Sequence, residues 1–306
     1  MERETSASLL RRTRTTRFRE SLSGYLMQAP ALLVLTAFVL IPIAAAIFLA
    51  FTKYNLFDPP KWNGLNNFPR LFSDRRLWKT YENTVLVALG SVLGNNVLGL
   101  LLAMGVNRAM SRTFKYFLRA ALFFPVLTTA ASLAMVWRYI FGTDRGALNW
   151  VLGQLGIARI QWLTSSEWAL SSVILYQIWR SVGVTMVVYL AGLQGIPKEL
   201  YEAARIDGAN AWQLTRHITL PLITPSAFFS VVMGFIAGFQ IFEGSYVLTT
   251  GGPGDASRTL AVYLYEIAFR RFEMGYGATI SVTLLLLLVL LTVLQFWVGN
   301  RWVYYE

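Results

Sequence analysis

The feature that most constrains this chain is a series of apolar runs, each about as long as a bilayer is thick. A helix rises about 1.5 Å per residue, so roughly 20 apolar residues cross the hydrocarbon core. Six stretches reach that length: 27–51, 84–106, 117–140, 168–193, 221–247 and 277–299. The last is the clearest, and the fifth is the most broken by glycine. In lipid every backbone N–H and C=O must be satisfied within the segment, so such runs are helices. The chain therefore reads as an all-α membrane protein with six transmembrane helices. A basic tail over 1–26 precedes a transmembrane domain over 27–306.

Composition agrees. Charged residues make up 14% of the chain, against about 25% in soluble domains. In a soluble protein the net charge of +11 would point to nucleic acid. Here the basic residues sit mainly between apolar runs, where they set topology and meet anionic lipid, so no nucleic-acid partner is expected. Six spans put both termini on one side. Lys and Arg number 14 on that side and 11 on the other, with Arg138 and Arg180 at or within spans. The narrow excess predicts a cytoplasmic N-terminus by the positive-inside rule. The first run is long and lacks a small-residue cleavage site, so it reads as a retained span.

The chain has no cysteine and one histidine, His217, which leaves no disulfide and no multi-histidine metal centre. It also contains no GxxxxGK[ST], GxSxG or HExxH sequence. No catalytic residue is expected.

Between the fourth and fifth runs lies IPKELYEAARIDGANAWQLTRHITLP, residues 196–221. Pro197 presets φ for a first helical turn, KELYEAARI is built from helix formers, and Gly208 can stop or bend the helix. ANAWQLTRHI can form a second short helix, and Pro221 is expected to open the next span. Two readings stay open on physics alone: a solvated loop, or a rigid knob suited to a groove on another protein.

Glu202-Ala203-Ala204, Asp207-Gly208-Ala209 and then Ile218, Leu220 and Pro221 resemble the EAA motif of ABC-importer permeases. LAGLQGIPKEL before the motif, FQIFEGSYVLTTGGP at 239–253 and NTVLVALGS at 83–91 are similar to the carbohydrate permeases of the maltose, lactose and glycerol-3-phosphate type. The likeness covers nearly the whole chain and departs at Thr215, where the family usually carries an aromatic residue. The resemblance implies a type I ABC importer permease fold (MetI-like) in a bacterial or archaeal cell membrane. It implies that 196–221 is a coupling helix seated in a separate ATPase subunit dimer, which binds the ATP and Mg; no cofactor is expected in this chain. Glu202 would be the polar contact, Ala203 and Ala204 would permit close approach, and Gly208 would provide the bend. The other implied partners are a second permease subunit, an extracytoplasmic solute-binding protein, and a di- or oligosaccharide or glycerol-phosphate cargo.

Polar residues inside the runs are the candidates for a pathway. Arg180 lies mid-span, where a charge costs about 2.5–3.5 kcal/mol on insertion scales, so it should face protein or a water-filled cavity. Glu243 lies in the outer half of the fifth run. With Gln177, Ser181, Gln240 and Tyr246, and aromatic faces from Phe239 and Phe242, these residues form either a sugar-cavity lining or interhelical glue. Asn95 and Asn96 read first as helix–helix hydrogen bonds. Gly90 with Gly94, and Gly234 with Gly238, have the spacing of close helix packing. His217 reads as a surface residue, the tail as a lipid-facing anchor, and TTGGPGDAS as an outer loop. The alternative function is a secondary transporter or channel working without ATP. That class would carry paired intramembrane acids or an inverted repeat, and neither is evident.

Overall fold

The computed structural model describes residues 24–107 and 111–304, so nearly all of the basic tail lies outside the described residues. The described residues are helical over most of their length. Helix α1 spans Gly24–Ala50, with a π-helical stretch at Thr36–Leu40. A two-residue hairpin, β1 (Thr52–Lys53) and β2 (Lys61–Trp62), leads to α2 (Asn67–Ser73) and α3 (Arg75–Asn107). Then come α4 (Arg112–Leu127), α5 (Ala130–Ile140), α6 (Ala147–Gln154), α7 (Ala169–Gly195) and α8 (Lys198–Ile206). Helix α9 (Ala211–Leu222) contains a π turn and is followed by α10 (Thr224–Phe239), α11 (Glu243–Thr249), α12 (Leu260–Tyr265) and α13 (Met274–Gly299).

Four helices, α1, α3, α7 and α13, are long and apolar enough to cross a membrane alone. Two bent pairs, α4–α5 and α9–α10, pass that test jointly, which gives up to six crossings if each pair is one span. The third run was expected as one helix over 117–140; it turns through 106° instead. Pro125 sits one turn before the break, and Thr128 and Thr129 are extended (ψ 150° and 134°), which leaves the helical region. The fifth run also differs from expectation. Helix α9 runs through Pro221 to Leu222 and bends 59° into α10, so the main span starts at Thr224. The π turn at Thr215–Thr219 and Pro225 near the start of α10 mark this bend. The span also ends early, at Phe239, and 243–249 forms the separate helix α11.

Helices α3 and α7 form the centre and run side by side in the same direction. Gly90 and Gly94 supply the contact: a Cβ at Gly94 would meet Ile178 Cδ1 at 2.4 Å. Helix α10 returns antiparallel against α3, where a Cβ at Gly238 would meet Ala88 at 2.8 Å. Gly238 thus serves close approach to the α3 backbone, while Gly90, Gly94 and Gly234 make room for the side chains of Ile174, Ile178 and Val92. Helix α1 lies outside this bundle, packed along α13, with none of its apolar window buried within the chain.

The end of the bundle that holds the hairpin is knitted by polar side chains distant in sequence. Asp74 caps α3 through the amides of Arg76 and Leu77 and accepts from Tyr263 Oη (2.6 Å) and Tyr276 Oη (2.8 Å). Burial opposes ionisation of Asp74, but these hydrogen bonds outweigh it and hold the carboxyl below its ordinary range. Asp255, in the glycine-rich turn 249–258, behaves likewise: burial is outweighed by Arg76 and Arg258. Asn83 Nδ2 donates to the carbonyls of Asp255 and Arg258, which ties that turn to α3.

Candidate coupling segment and cavity

At the opposite end, α8 leaves the bundle without burying a residue. It starts after Pro197 and ends in a complete Schellman stop. Gly208 adopts φ +85°, its amide donates to Arg205 O (3.0 Å), and Ala209 N donates to Ala204 O (2.9 Å). Gly208 takes the left-handed conformation at little cost, and Ala204 and Ala209 occupy the two positions whose apolar contact accompanies this motif. The next helix then starts on a reciprocal cap, with Gln213 N donating to Asn210 Oδ1 and Asn210 N to Gln213 Oε1. The segment is thus helix, left-handed glycine, capped helix, all set by local chemistry.

Tyr201 is its anchor. The ring packs against the apolar cluster that includes Leu193, Ile196 and Ile223, and its hydroxyl pairs with Thr219 Oγ1 at 3.0 Å. Glu202, Ala203 and Asp207 face outward, Ala204 and Ala209 are half-buried, and Leu220 and Pro221 lie beyond the π turn. Ile206 is 87% exposed and Trp212 67% exposed. Sequence reasoning missed these two apolar side chains, although their place beside the helix stop is visible in the sequence. His217 is exposed and contacts Gln213 O.

Midway along the bundle, α3, α7 and α10 enclose a cavity of about 270 Å³. Its polar lining includes Asn95, Asn96, Gln177, Ser181, Thr185 and Ser230, and no lining residue is charged. Ser181 Oγ donates to Gln177 O at 2.6 Å, so in its 2.8 Å contact with Asn95 the asparagine Nδ2 must donate. Asn95 Oδ1 is thereby turned away from Ser181, and it has no hydrogen-bond partner. Gln177 Oε1 is also buried without a partner. Both side chains are nine-tenths buried. Asn96, by contrast, is committed: it donates to Val92 O and accepts from Tyr189 Oη at 2.7 Å. The expected helix–helix role thus describes Asn96 fully and Asn95 only in part.

The eight sequence candidates for a pathway do not form one group. Gln177 and Ser181 line the cavity; Arg180, on the same helix, does not, and its Nε is buried without a partner. Phe239 is buried in the core. Gln240 and Glu243 are exposed at the broken end of the fifth span. Phe242 and Tyr246 stack at 5.1 Å, Tyr265 packs edge-on against both, and Arg270 donates to Tyr246 Oη. The cavity's other polar members follow i, i+4 stripes, Ser91–Asn95 on α3 and Gln177–Ser181–Thr185 on α7, a periodicity present in the sequence.

A bundle of up to six membrane-crossing helices, with an uncharged, largely apolar cavity that carries amide and hydroxyl side chains midway along it and a projecting amphipathic helix at one end, is built as a transport permease. The comparisons agree. The family described as "Binding-protein-dependent transport system inner membrane component" matches residues 95–304. The chain is similar to the probable ABC transporter permease protein YesP of Bacillus subtilis, with 35% identity over 98% of this chain and 97% of that one. It is similar to the sulfoquinovosyl glycerol transport system permease protein SmoG of Agrobacterium fabrum, with 32% identity over 95% of each chain. It is also similar to the trehalose/maltose transport system permease protein MalF of Thermococcus litoralis, with 31% identity over 93% of this chain and 96% of that one. A chain of a bacterial ABC transporter involved in alginate import shares the fold, with a TM-score of 0.80 at 23% identity over 94% of this chain and 98% of that one. This chain belongs to the family of binding-protein-dependent transport system inner membrane components.

Proposed function

We propose that this chain is a permease subunit of an ATP-driven importer that moves a neutral glycoside or oligosaccharide, delivered by an extracytoplasmic binding protein, into the cytoplasm. The observation that carries the coupling role is the build of 196–221: a helix with no buried residue, fixed in direction by Tyr201 and the Gly208 stop. Its outward face, Glu202, Ala203, Ile206 and Trp212, combines one carboxylate, a small side chain and two apolar ones, which suits a cleft of an ATPase subunit. ATP and Mg bind there, in an ATPase dimer. Closure of that dimer favours one arrangement of the bundle over another, and a rigid link transmits the preference. A second permease, most simply a different chain, completes the pathway, and the N-terminus and α8 face the cytoplasm.

The relatives are named for different cargoes, so the cargo's charge is argued from the cavity. The polar side chains of the lining are amides and hydroxyls, which both donate and accept and so match sugar hydroxyls. A carboxylate or phosphate would bring more acceptors and a negative charge to a lining with no cation. This disfavours a glycerol-phosphate cargo. Of the sequence candidates, Gln177 and Ser181 are retained for the pathway, joined by Asn95. Phe242, Tyr246 and Glu243, at the broken end of the fifth span, stand nearer the entrance.

The test is uptake in proteoliposomes holding the assembled complex and its binding protein. Uptake of a neutral oligosaccharide should require ATP, the ATPase and the second permease. Sugar movement by this chain alone without ATP would sink the importer reading; equal uptake of a uronic-acid oligosaccharide would sink the neutral-cargo reading only.

A further inference from the structure

A second cavity shares no lining residue with the one between α3, α7 and α10. It measures about 600 Å³ and lies at the hairpin end of the bundle, between the hairpin and the start of α13. Its frame is fixed. Asn67 Nδ2 donates to Ala50 O and Thr52 O at 2.9 Å each, and Gly275 N donates to Tyr54 O at 3.1 Å. The hairpin lies so close to α13 that a Cβ at Gly275 would meet Thr52 O at 2.1 Å.

Four cations line this cavity, Lys53, Lys61, Arg70 and Arg271, with two acids, Asp58 and Glu273. Glu273 is taken by Arg70, and Asp58 accepts from Asn55. Among the described residues no ion pair engages Lys53, Lys61 or Arg271. Lys53 and Lys61 are direct register partners on the hairpin, so their side chains project from the same face. Like charges directly opposite destabilise a strand pair, and an anion between them removes that penalty.

The position selects the anion. The hairpin begins where the apolar run of α1 ends, at Phe51. Exposed aromatics ring it: Trp62 stacks on Phe51 at 5.8 Å and packs near Phe48, and Phe57 meets Phe272 edge-on at 5.1 Å. Aromatic rings mark headgroup depth in membrane proteins. A cationic cavity at that depth, beside a helix whose apolar side is open, faces lipid phosphate.

We propose that this cavity holds the phosphate of an anionic phospholipid headgroup, gripped by Lys53, Lys61 and Arg271. The assay is native mass spectrometry of the purified transporter complex with added phosphatidylglycerol or phosphatidylcholine. Wild type should retain a tightly held phosphatidylglycerol adduct. The combined Lys53→Ala, Lys61→Ala and Arg271→Ala variant should weaken it by about tenfold or more. Arg145→Ala with Arg159→Ala, on another loop at the same end, should leave it unchanged. Should the combined variant fail to assemble, Lys61→Ala alone, on an exposed strand, should weaken the adduct and spare phosphatidylcholine binding. An adduct unaffected by these substitutions overturns the proposal. Displacement of the adduct by millimolar inorganic phosphate also overturns it, in favour of a free-anion site. Loss of binding-protein-stimulated ATP hydrolysis with lipid adducts intact overturns it in favour of a protein-docking surface.

Discussion

The Gly208 stop offers a clean perturbation, because the space around it is empty. An added Cβ would meet nothing within 4 Å, so Gly208→Ala changes the backbone preference and little else. The native φ of +85° is one that L-residues avoid. Holding a non-glycine residue in the left-handed region costs about 1–2 kcal/mol. If docking requires the bend, that cost is added to the docking free energy, and the permease's apparent affinity for the ATPase should fall by about 5- to 30-fold. Gly208→Asn should cost less, within about twofold of wild type, because Asn tolerates this conformation. Gly208→Pro should abolish coupling: proline fixes φ near about −65° and removes the N–H that reaches Arg205 O. The readout is the ATPase concentration giving half-maximal substrate-stimulated hydrolysis by the reconstituted complex. The expected order of affinity is wild type, Asn, Ala, Pro. Wild-type behaviour of Gly208→Ala, or an Asn variant weaker than Ala, would refute the claim that the left-handed bend matters.

Other outcomes follow from the same physics. Asp74 and Asp255 both sit below their ordinary pKa, so their stabilisation is complete above the unfolded-state value and is lost as pH falls through the lowered folded values. Hydrogen exchange at the amides of Arg76 and Leu77 should therefore stay protected at about pH 5 and lose protection only below about pH 4; loss already near pH 6 would contradict this. Asn96→Ala strands the Tyr189 hydroxyl and should lower stability by about 1–3 kcal/mol in thermal unfolding of the complex. Asn95→Ala leaves Ser181 bonded to Gln177 O, so it should cost less stability and more uptake per assembled complex. The reverse ranking would remove Asn95 from the pathway.

What could be read from the sequence divides by range. The apolar runs and the coupling segment depend on neighbours within a few residues; four of the six runs formed single helices and the helix–glycine–helix order of the segment appeared as expected, while the third and fifth runs broke and Pro221 fell inside α9. The Schellman stop needs only Ala204, Arg205, Gly208 and Ala209, all within six consecutive residues. The break at Thr128–Thr129 was missed because a length criterion scores apolar content and ignores that Pro125 and two β-branched residues weaken a helix. The split at Gln240 was missed for a related reason: apolar residues on both sides hid a change of direction that packing imposes. At the cavity, the stripes on α3 and α7 are periodic and readable, but which stripe faces which depends on helices 86 residues apart, as the Asn95–Ser181 bond shows. Asp74 with Tyr263 and Tyr276 joins positions up to 202 residues apart and carries no local signal.

The central claim, that α8 meets the ATPase and the glycine-rich turn faces the opposite side, can be tested by cross-linking. The chain has no native cysteine, so single substitutions report cleanly. In the assembled complex with its binding protein, Ile206→Cys carrying a short photo-cross-linker should capture the ATPase and never the binding protein. Arg145→Cys, on the hairpin side of the bundle, should never capture the ATPase. Capture of the ATPase from Arg145→Cys, or none from Ile206→Cys in a complex that still hydrolyses ATP in response to substrate, would contradict the account.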